Sequence, residues 1–378
     1  MIIKLKEVLT PRFPFRAVLM LLLILSLSTV SAAAENRIGI NTEIYSSFFS
    51  LNGLDGDWNY LLSGQSGLSF KNKSRDVRGE VSLELTEALI SSLAGEAIVL
   101  PTLKKLYIRS SFGDVQLSMG KTRASWGAGF VFNAGDIIFG SDSISFDAAA
   151  VDPRAETSWL TAVEIPLGDF SFAEIIALPG DGALSDASAG GRISIEAGVF
   201  NIQAGYLYRN QLFAGLGEEG QRAFFCLEGI APFNWHLSAS ASTFLDRWDA
   251  EKVKESSLIS GGAFYDHLIG EYGDVNLSWR LEFLLRPLGE WAVVTDMSDA
   301  EESEYGLYLY PALSLTPPGR LSYSLSSIVS PVDVSAFTTL AVSWNIFEEL
   351  ILLGFTSVQT SDLQVDGVSA VIGLRYSY

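Results

Sequence analysis

The last thirteen residues of the chain alternate in character at every second position. The apolar and aromatic positions are Val368, Ala370, Ile372, Leu374, Tyr376 and Tyr378. The positions between them are mostly smaller or more polar, and they include Gly367, Ser369, Gly373, Arg375 and Ser377. Successive side chains of a β-strand point to opposite faces, so a period of two predicts an extended strand. We expect one apolar face with an aromatic end and one more polar face.

Similar alternation recurs along the chain from Arg37 onward. About eighteen segments show it, and the clearest lie at residues 37–49, 235–242, 275–285 and 321–326. Segments of roughly ten alternating residues are typical of transmembrane barrels, whereas the strands of a β-sandwich are shorter and turn their polar face outward. The sequence therefore predicts an all-β fold, a single transmembrane antiparallel β-barrel of about 16–18 strands, with 18 preferred. The count falls to about sixteen if residues 191–198 and 200–209 are not separate strands.

The N-terminus has the parts of a secretory signal peptide. Basic residues precede an apolar run at residues 17–30, and the small residues Ala32, Ala33 and Ala34 follow it. The run is shorter than the ~20 residues that a membrane-spanning helix needs. We therefore expect residues 1–34 to be a cleaved signal peptide and residues 35–378 to form the barrel as one domain. The single cysteine, Cys226, excludes a disulfide within the chain.

The charge balance limits the classes of partner. The chain has 25 Lys and Arg residues against 44 Asp and Glu residues, a formal net charge of −19, yet 48% of its residues are hydrophobic. An acidic chain repels nucleic acid, so we expect no nucleic-acid partner. High charge together with high apolarity indicates that the two are segregated, as in barrels whose strands face lipid and whose charges lie in loops and lumen.

The lengths of the predicted connections also alternate. Tight connections lie at residues 113–114, 168–169, 232–234, 317–319 and 348–349. Longer ones lie at residues 89–102, 127–156, 179–190, 210–220, 246–255 and 286–303. Outer-membrane barrels have short periplasmic turns and long extracellular loops, so we assign the first set to the periplasmic end and the second to the outer end. The connection at residues 266–273 is longer than this rule predicts.

Residues 120–139 form the most distinctive stretch. They contain Gly120-Lys121, Trp126-Gly127, Gly129, Phe132-Asn133 and Asp136-Ile137. This stretch resembles a group of porin-like outer-membrane proteins in which a strand ending in Gly-Lys or Gly-Arg runs into Trp-Gly and then Asn-Pro-x-Asp. Ala134 stands where that group has proline, which puts the rigid turn in question. The resemblance implies a channel or transporter in the bacterial outer membrane.

The closing strand supports the same expectation. It ends on Tyr376 and Tyr378, and it resembles the closing strand of bacterial outer-membrane barrels, where this strand serves as the assembly signal. The resemblance implies recognition of these two tyrosines by the barrel-assembly machinery.

The distinctive stretch closes one strand and opens the longest predicted loop, residues 127–156. Glycine lets the backbone bend sharply there, and Asn133 and Asp136 can cap the turn. The loop either folds inward and narrows the channel, as is common in barrels of this size, or covers the outer mouth. For the inward case, the predicted constriction residues are Lys121, Arg123, Asp136, Asp142, Asp147, Asp152, Arg154 and Glu156.

Lys121 and Arg123 admit two interpretations. Strict alternation from Val115 places both on the lipid face, where they would reach the headgroups. A bulge at Gly120 would instead turn them into the lumen, and we favour this interpretation. Basic residues facing acids across a lumen create a transverse field that orients polar solutes.

We find no pattern that predicts catalysis, a cofactor or a metal site. His236 and Ser238 are spaced as in outer-membrane phospholipase, but Ala239 follows the serine where that family needs Asn-Gly. The non-catalytic interpretation, which we favour, is that His236 and Ser238 are polar lumen residues in a serine-rich row. Two histidines, His236 and His267, are too few for a His-rich zinc site.

Aromatic residues near predicted strand ends fit an interfacial girdle. They are Trp235, Tyr305, Tyr308, Tyr310, Trp344 and Tyr376. Only Tyr308 and Tyr310 are placed in the lumen by their position in the alternation.

The leading hypothesis is therefore a porin-like channel for passive or weakly selective diffusion of small polar solutes, with a preference for cations from the acid excess. The alternative is a non-conducting barrel that serves as a scaffold, an adhesin or a component of polysaccharide export. A membrane-embedded hydrolase is the third. The expected partners are outer-membrane lipids, the assembly machinery and small polar solutes. The sequence does not decide whether the protein forms a homo-oligomer.

Overall fold

A computed structural model describes residues 35–50, 53, 56–88, 98–140, 156–179, 187–208, 220–270, 274–288, 306–332 and 334–378. The predicted signal peptide lies outside these residues, and the first strand begins at Glu35. The strands are β1 (Glu35–Ser50), β2 (Asn59–Lys73), β3 (Val77–Ala88), β4 (Ile98–Phe112), β5 (Val115–Thr122), β6 (Ser158–Gly168), β7 (Ser171–Leu178), β8 (Ser188–Ala197), β9 (Phe200–Tyr208), β10 (Gly220–Gly229), β11 (Asn234–Phe244), β12 (Leu258–Ile269), β13 (Val275–Arg286), β14 (Gly306–Thr316), β15 (Leu321–Ser330), β16 (Ser335–Asn345), β17 (Leu350–Ser361) and β18 (Gln364–Ser377).

These strands form one 18-stranded sheet in which each strand pairs antiparallel with its neighbours in sequence. The first and last strands also pair, from Asn41 opposite Ser377 to Ser50 opposite Val368. The backbones of Ile40 and Tyr378 exchange two hydrogen bonds of 2.8 Å beyond that register. Because the sheet has no free edge, it is a closed barrel, and the prediction of eighteen strands is confirmed. Residues 191–198 and 200–209, for which the sequence left open whether they are separate strands, correspond to β8 and β9.

The alternation of each strand separates an apolar outside from a polar inside. On β18, Ile372 is 59% exposed on the outer face, whereas the side chain of Arg375 on the other face is only 15% exposed. Residues paired across strands share a face, so the register carries this division around the barrel. The serine-rich rows of β11 and β15, including Ser238 and Ser326, therefore face the lumen. An outer face of this kind matches lipid, and the inner rows match water.

The connections at one end of the barrel are mostly tight turns. They include residues 113–114, 169–170, 198–199 and 317–320. The connection predicted at residues 266–273 is shorter than expected, because Asp266 and the three residues after it extend β12 and pair with β13. It covers residues 270–274. Two connections at the opposite end are also short, at residues 331–334 and 362–363.

One short helix, α1 (Ala250–Glu255), lies in the connection between β11 and β12. Asp249 caps its N-terminus, because the carboxylate accepts hydrogen bonds from the backbone N–H groups of Glu251 and Lys252. No helix in the described part of the chain has the length and apolarity needed to cross a membrane. Cys226 is a buried free thiol on β10.

Candidate functional site

After β5 the chain turns into the barrel. Residues 123–140, here called the inward loop, are mostly buried, and Trp126, Phe132 and Ile138 are almost completely so. Loops normally run over a protein surface, because buried backbone groups lose their contact with water. Apolar side chains that are this deeply buried must therefore pack on the inner wall of the barrel.

The turn of the inward loop is held by its own polar side chains. Asn133 donates from Nδ2 to the carbonyl oxygen of Trp126 at 2.9 Å and accepts from the N–H of Gly135 at 3.0 Å. Asp136 accepts from the N–H of Phe139 at 3.2 Å. Both residues thus supply buried backbone groups with hydrogen bonds inside the loop. Ala134 occupies the position where the resembling group has proline, and its N–H donates to Ser260 on the barrel wall at 2.8 Å. Proline has no such donor.

Glycine is required where the inward loop crosses itself. Gly129 has a φ of +140°, and a Cβ atom there would lie 2.0 Å from the carbonyl oxygen of Phe132. Gly127 has a φ of +71°, and its Cβ would lie 2.6 Å from the Cα of Gly135. At these two glycines the backbones of the two turns come into direct contact.

Replacing Gly129 with alanine is expected to dislodge the inward loop. The variant adds a backbone clash to a left-handed conformation whose strain alone is of the order of 1–3 kcal/mol. Limited proteolysis should cut within residues 123–140 in the variant and leave the wild type intact. Gly113→Ala is the matched control, since Gly113 also has a positive φ of +62° but no atom within 4 Å of a Cβ. Equal protection of both variants would contradict the tight crossing.

One apolar cluster attaches the two ends of the loop to β6–β10. Trp126, Ile137 and Ile138 pack against wall residues, which are Leu160, Ala162, Ile176, Leu178, Leu207, Phe224 and Cys226. The rings of Trp126 and Phe224 stack with their centroids 5.7 Å apart. Full burial of one large apolar side chain contributes about 1.5–3 kcal/mol of transfer free energy. Because several such side chains of the loop are buried in this cluster, the cluster attaches the loop strongly.

A second apolar cluster attaches the middle of the loop to β13 and β14. Val131, Phe132 and Ala134 pack against Leu284 and Tyr308, and the rings of Phe132 and Tyr308 stack at 6.3 Å. The inward loop therefore contacts the wall from β6 to β14.

The carboxylate of Glu282 on β13 binds the backbone of the inward loop. It accepts hydrogen bonds from the N–H groups of Phe130 at 3.0 Å, Val131 at 2.9 Å and Phe132 at 3.0 Å. Glu282 is only 2% exposed. Three successive N–H groups around one carboxylate form an anion-binding nest, and bonds to a charged acceptor are among the stronger ones.

A polar network secures the root of the loop on β7 and β8. Glu174 accepts from the indole Nε1 of Trp126 at 2.9 Å and from Arg192 Nε at 2.7 Å. Arg192 also donates to the carbonyl oxygen of Ser125 at 3.3 Å and to Gln203 at 2.9 Å. The network fixes Ser125 and Trp126, near the start of the loop, on the barrel wall.

The predicted constriction residues lie in different places. Arg123 pairs with Asp136 at 3.3 Å, and its guanidinium lies over the ring of Phe139 at 5.6 Å. Both charges therefore act within the inward loop. Glu156 is exposed just before β6. Asp142, Asp147, Asp152 and Arg154 lie outside the described residues.

Lys121 on β5 is paired with Leu106 on β4 and with Trp159 on β6. Trp159 is an exposed residue of the outer face. The pairing of β5 has no register shift at Gly120, although this glycine has a φ of +130°. The ammonium group donates to the carbonyl oxygen of Leu103 at 2.6 Å.

A bulge lies instead between β3 and β4. Ser82 pairs with Lys105 and the next residue, Leu83, pairs with Leu103, so Lys104 is an extra residue. As a result two consecutive lysines contact acids of the inner row: Lys104 with Glu84 at 3.0 Å and Lys105 with Glu80 at 3.8 Å. Both lysines are therefore lumen residues.

The inner wall formed by β16–β18 and β1–β4 carries paired charges and hydroxyls. Glu43 binds Arg375 at 2.6 Å across the closing seam. Hydroxyl groups lie on β16 and β17, where Thr339 and Ser357 hydrogen-bond at 3.0 Å. The wall beneath the inward loop also carries charges, but those of Glu174, Arg192 and Glu282 bind the loop itself.

His236 and Ser238 face the lumen but do not form a nucleophile–base pair. Ser238 donates to the carbonyl oxygen of Ala128 at 3.5 Å, and His236 Nε2 has no hydrogen-bond partner among the described residues. A serine hydrolase needs hydrogen-bonded contact between these groups. The described residues contain no group of three or more potential metal ligands.

The aromatic residues near the strand ends divide between the two faces. Trp344 and Tyr376 are exposed on the outer face. Tyr308 packs on the inward loop and Tyr310 lies beside the same cluster, so both belong to the lumen. Tyr305 lies outside the described residues.

Glu174, Arg192, Arg280 and Glu282 were not singled out from the sequence. The sequence indicated only that these charged residues lie on the polar face of an alternating strand. Arg280 and Glu282 belong to the row that interleaves the apolar residues of β13.

Comparison with known proteins finds similarity in structure alone. No family model and no curated protein matches the sequence. OccAB3 of Acinetobacter baumannii superposes with a TM-score of 0.56 at 11% identity, over 90% of this chain and 99% of that one. OpdQ of Pseudomonas aeruginosa gives 0.54 at 9% identity, over 91% and 98%. Wzi of Escherichia coli, described as an outer-membrane, carbohydrate-binding β-barrel involved in group 1 capsule assembly, gives 0.55 at 13% identity, over 97% and 89%. The chain therefore has the closed β-barrel fold of these outer-membrane proteins.

Proposed function

We propose that the protein is a porin-like channel of the bacterial outer membrane for small polar solutes. The observation that carries this proposal is the one-sided packing of the inward loop, which contacts the wall from β6 to β14. The wall from β16 through β18 to β4 carries charged and hydroxyl side chains that pair with one another. A barrel of this size has a lumen wide enough for water, and a loop on one side narrows such a lumen without filling it.

The outer face and the ends of the barrel support the location. Apolar residues cover the lipid-facing rows, and Trp344 and Tyr376 are exposed on that face as interfacial residues are. Outer-membrane lipids are then the surrounding partner. Tyr376 and Tyr378 at the end of the closing strand are the proposed assembly signal.

We propose weak charge selectivity for the channel. The acids of the polar wall are paired with bases: Glu43 with Arg375, Glu80 with Lys71 and Lys105, and Glu84 with Lys104. Such pairs cancel most of the field that single charges would create. The preference for cations, predicted from the net charge of the whole chain, stays a prediction.

Planar-bilayer recordings of the purified protein test this function. We expect stepwise conductance and, in a salt gradient, a reversal potential much smaller than that of an ideally selective pore. The folded barrel should be verified first by its shift in gel mobility on heating. A folded protein that gives no conductance would overturn the channel and favour the non-conducting alternative, a scaffold, an adhesin or an export component. The inward loop, which already occupies part of the lumen, gives that alternative its support.

A further inference from the structure

Lys121 is the one lysine or arginine on the described strands that lies in a lipid-facing row. It is paired with Trp159 on β6, and Met119 precedes it in the same row of β5. Trp159 and Met119 are 48% and 55% exposed on the outer face. A basic residue on the lipid face of a barrel costs much more at the bilayer midplane than near an interface. The depth of this cation in the membrane is therefore decisive.

The ammonium group of Lys121 lies toward the outer end of the barrel. Lys121 is the next-to-last residue of β5, which ends at Thr122. Its backbone is paired with Leu106, but its Nζ donates to the carbonyl oxygen of Leu103 at 2.6 Å. Since β4 begins at Ile98, at the outer end, the side chain points toward the outer leaflet. Long basic side chains on an apolar surface extend in this way and bring their charge to the headgroups.

The bulge on β4 holds the ammonium group at this depth. Beside the extra residue, Lys104, two carbonyl groups accept hydrogen bonds from side chains. Lys121 binds the carbonyl group of Leu103, and Thr157 donates to that of Lys104 at 2.7 Å. An ammonium group has three N–H donors, and this bond uses one of them. Within the described part of the chain Lys121 has no carboxylate partner, so two donors and the full charge remain for a ligand.

A lipid-facing cation without a carboxylate partner is expected to pair with an anion of the membrane itself. The fold is that of outer-membrane barrels, and the outer leaflet of that membrane consists of glycolipids whose headgroups carry phosphate. An ammonium group binds phosphate as a point charge. The exposed indole of Trp159 in the same row is typical of the interface where such headgroups lie.

We propose that Lys121, with Trp159 beside it, is a binding site on the outside of the barrel for the headgroup phosphate of an outer-leaflet glycolipid. The inference goes beyond the proposed channel, because it concerns the lipid-facing surface and does not depend on conductance.

Native mass spectrometry of the folded protein in detergent tests the site with three lipids. They are lipid A with both phosphates, lipid A from which both phosphates have been removed, and phosphatidylglycerol. We expect the wild type to retain phosphorylated lipid A in preference to the other two. Lys121→Gln should lower its retention about five-fold and leave that of dephosphorylated lipid A unchanged. Lys121→Arg should keep the preference, because a guanidinium group also binds phosphate.

Lys71→Gln is the matched control. It changes the net charge by the same amount, but Lys71 lies in the lumen, 3.9 Å from Glu80. Its retention of phosphorylated lipid A should equal that of the wild type. No decrease in Lys121→Gln, or an equal decrease in Lys71→Gln, would overturn the site. Equal retention of phosphatidylglycerol by the wild type would overturn its assignment to an outer-leaflet glycolipid.

Thermal unfolding distinguishes lipid binding from a purely structural role of the bond to Leu103. If Lys121→Gln unfolds at a lower temperature but retains the two forms of lipid A in the wild-type ratio, the lysine only caps the bulge and the site is overturned. Gel mobility on heating shows that each variant is folded. A wild type that retains lipid A through Lys121 but gives no conductance overturns the channel and leaves this site in place.

Discussion

Replacing Glu282 with alanine should raise the conductance several-fold. The variant removes the acceptor for three buried N–H groups of the inward loop, and each unsatisfied group costs about 1–3 kcal/mol. The loop would relieve this cost by leaving the wall, because water in the lumen can then bind the freed groups. The apolar cluster around Trp126 would still hold the two ends of the loop, so the barrel itself should remain folded.

Single-channel recordings measure this effect, and proteolysis within residues 123–140 provides an independent readout. Glu84→Ala is the matched control, since Glu84 is also a lumen acid and its ion pair is with Lys104 on β4. Glu282→Gln should fall between wild type and alanine, because the amide keeps one acceptor oxygen. Unchanged conductance in Glu282→Ala, with the loop still protected from protease, would show that the nest does not hold it.

Replacing Glu43 with alanine should destabilise the closure of the barrel. Glu43 lies on β1 and accepts hydrogen bonds from Tyr45 at 2.7 Å, Gln65 at 2.6 Å and Arg375 at 2.6 Å. Arg375 belongs to β18, so this network joins the two ends of the sheet. Removing one member of a buried ion pair costs of the order of 3–5 kcal/mol, and the partial exposure of Arg375 places the expected loss toward the lower end.

The folded fraction of Glu43→Ala, read from gel mobility and thermal unfolding, measures that loss. Glu35→Ala is the matched control, since Glu35 pairs with Arg37 on the same strand and the two side chains are 56% and 73% exposed. Surface pairs of this kind contribute about 0–1 kcal/mol. Equal stability of the two variants would mean that the seam depends on backbone pairing alone.

The periodicity of the sequence was sufficient to predict the strands and their faces. Alternation is a local property, and Ile372 and Arg375 lie on the sides that it assigns. It also indicated that Tyr308 and Tyr310 face the lumen. The count of eighteen followed from segment rhythm and connection lengths.

The packing of the inward loop could not be predicted in the same way. Glu282 is 150 residues from Phe132 in sequence, and nothing local to either residue indicates their contact. The bulge was expected at Gly120, where glycine and strand end coincide, but the register shift lies beside Lys104. A register shift depends on the pairing of two strands, and one strand alone does not reveal it.

Lys104 shows how the lumen of a barrel can change its chemistry. One added amino acid shifts the phase of the residues that follow, so a positive group enters the aqueous path while the lipid-facing surface keeps its composition. Insertions and deletions of single residues in such strands are therefore a route by which related barrels could acquire different solutes. When two barrels are aligned, a one-residue gap within a strand should be read as a change in the pore lining.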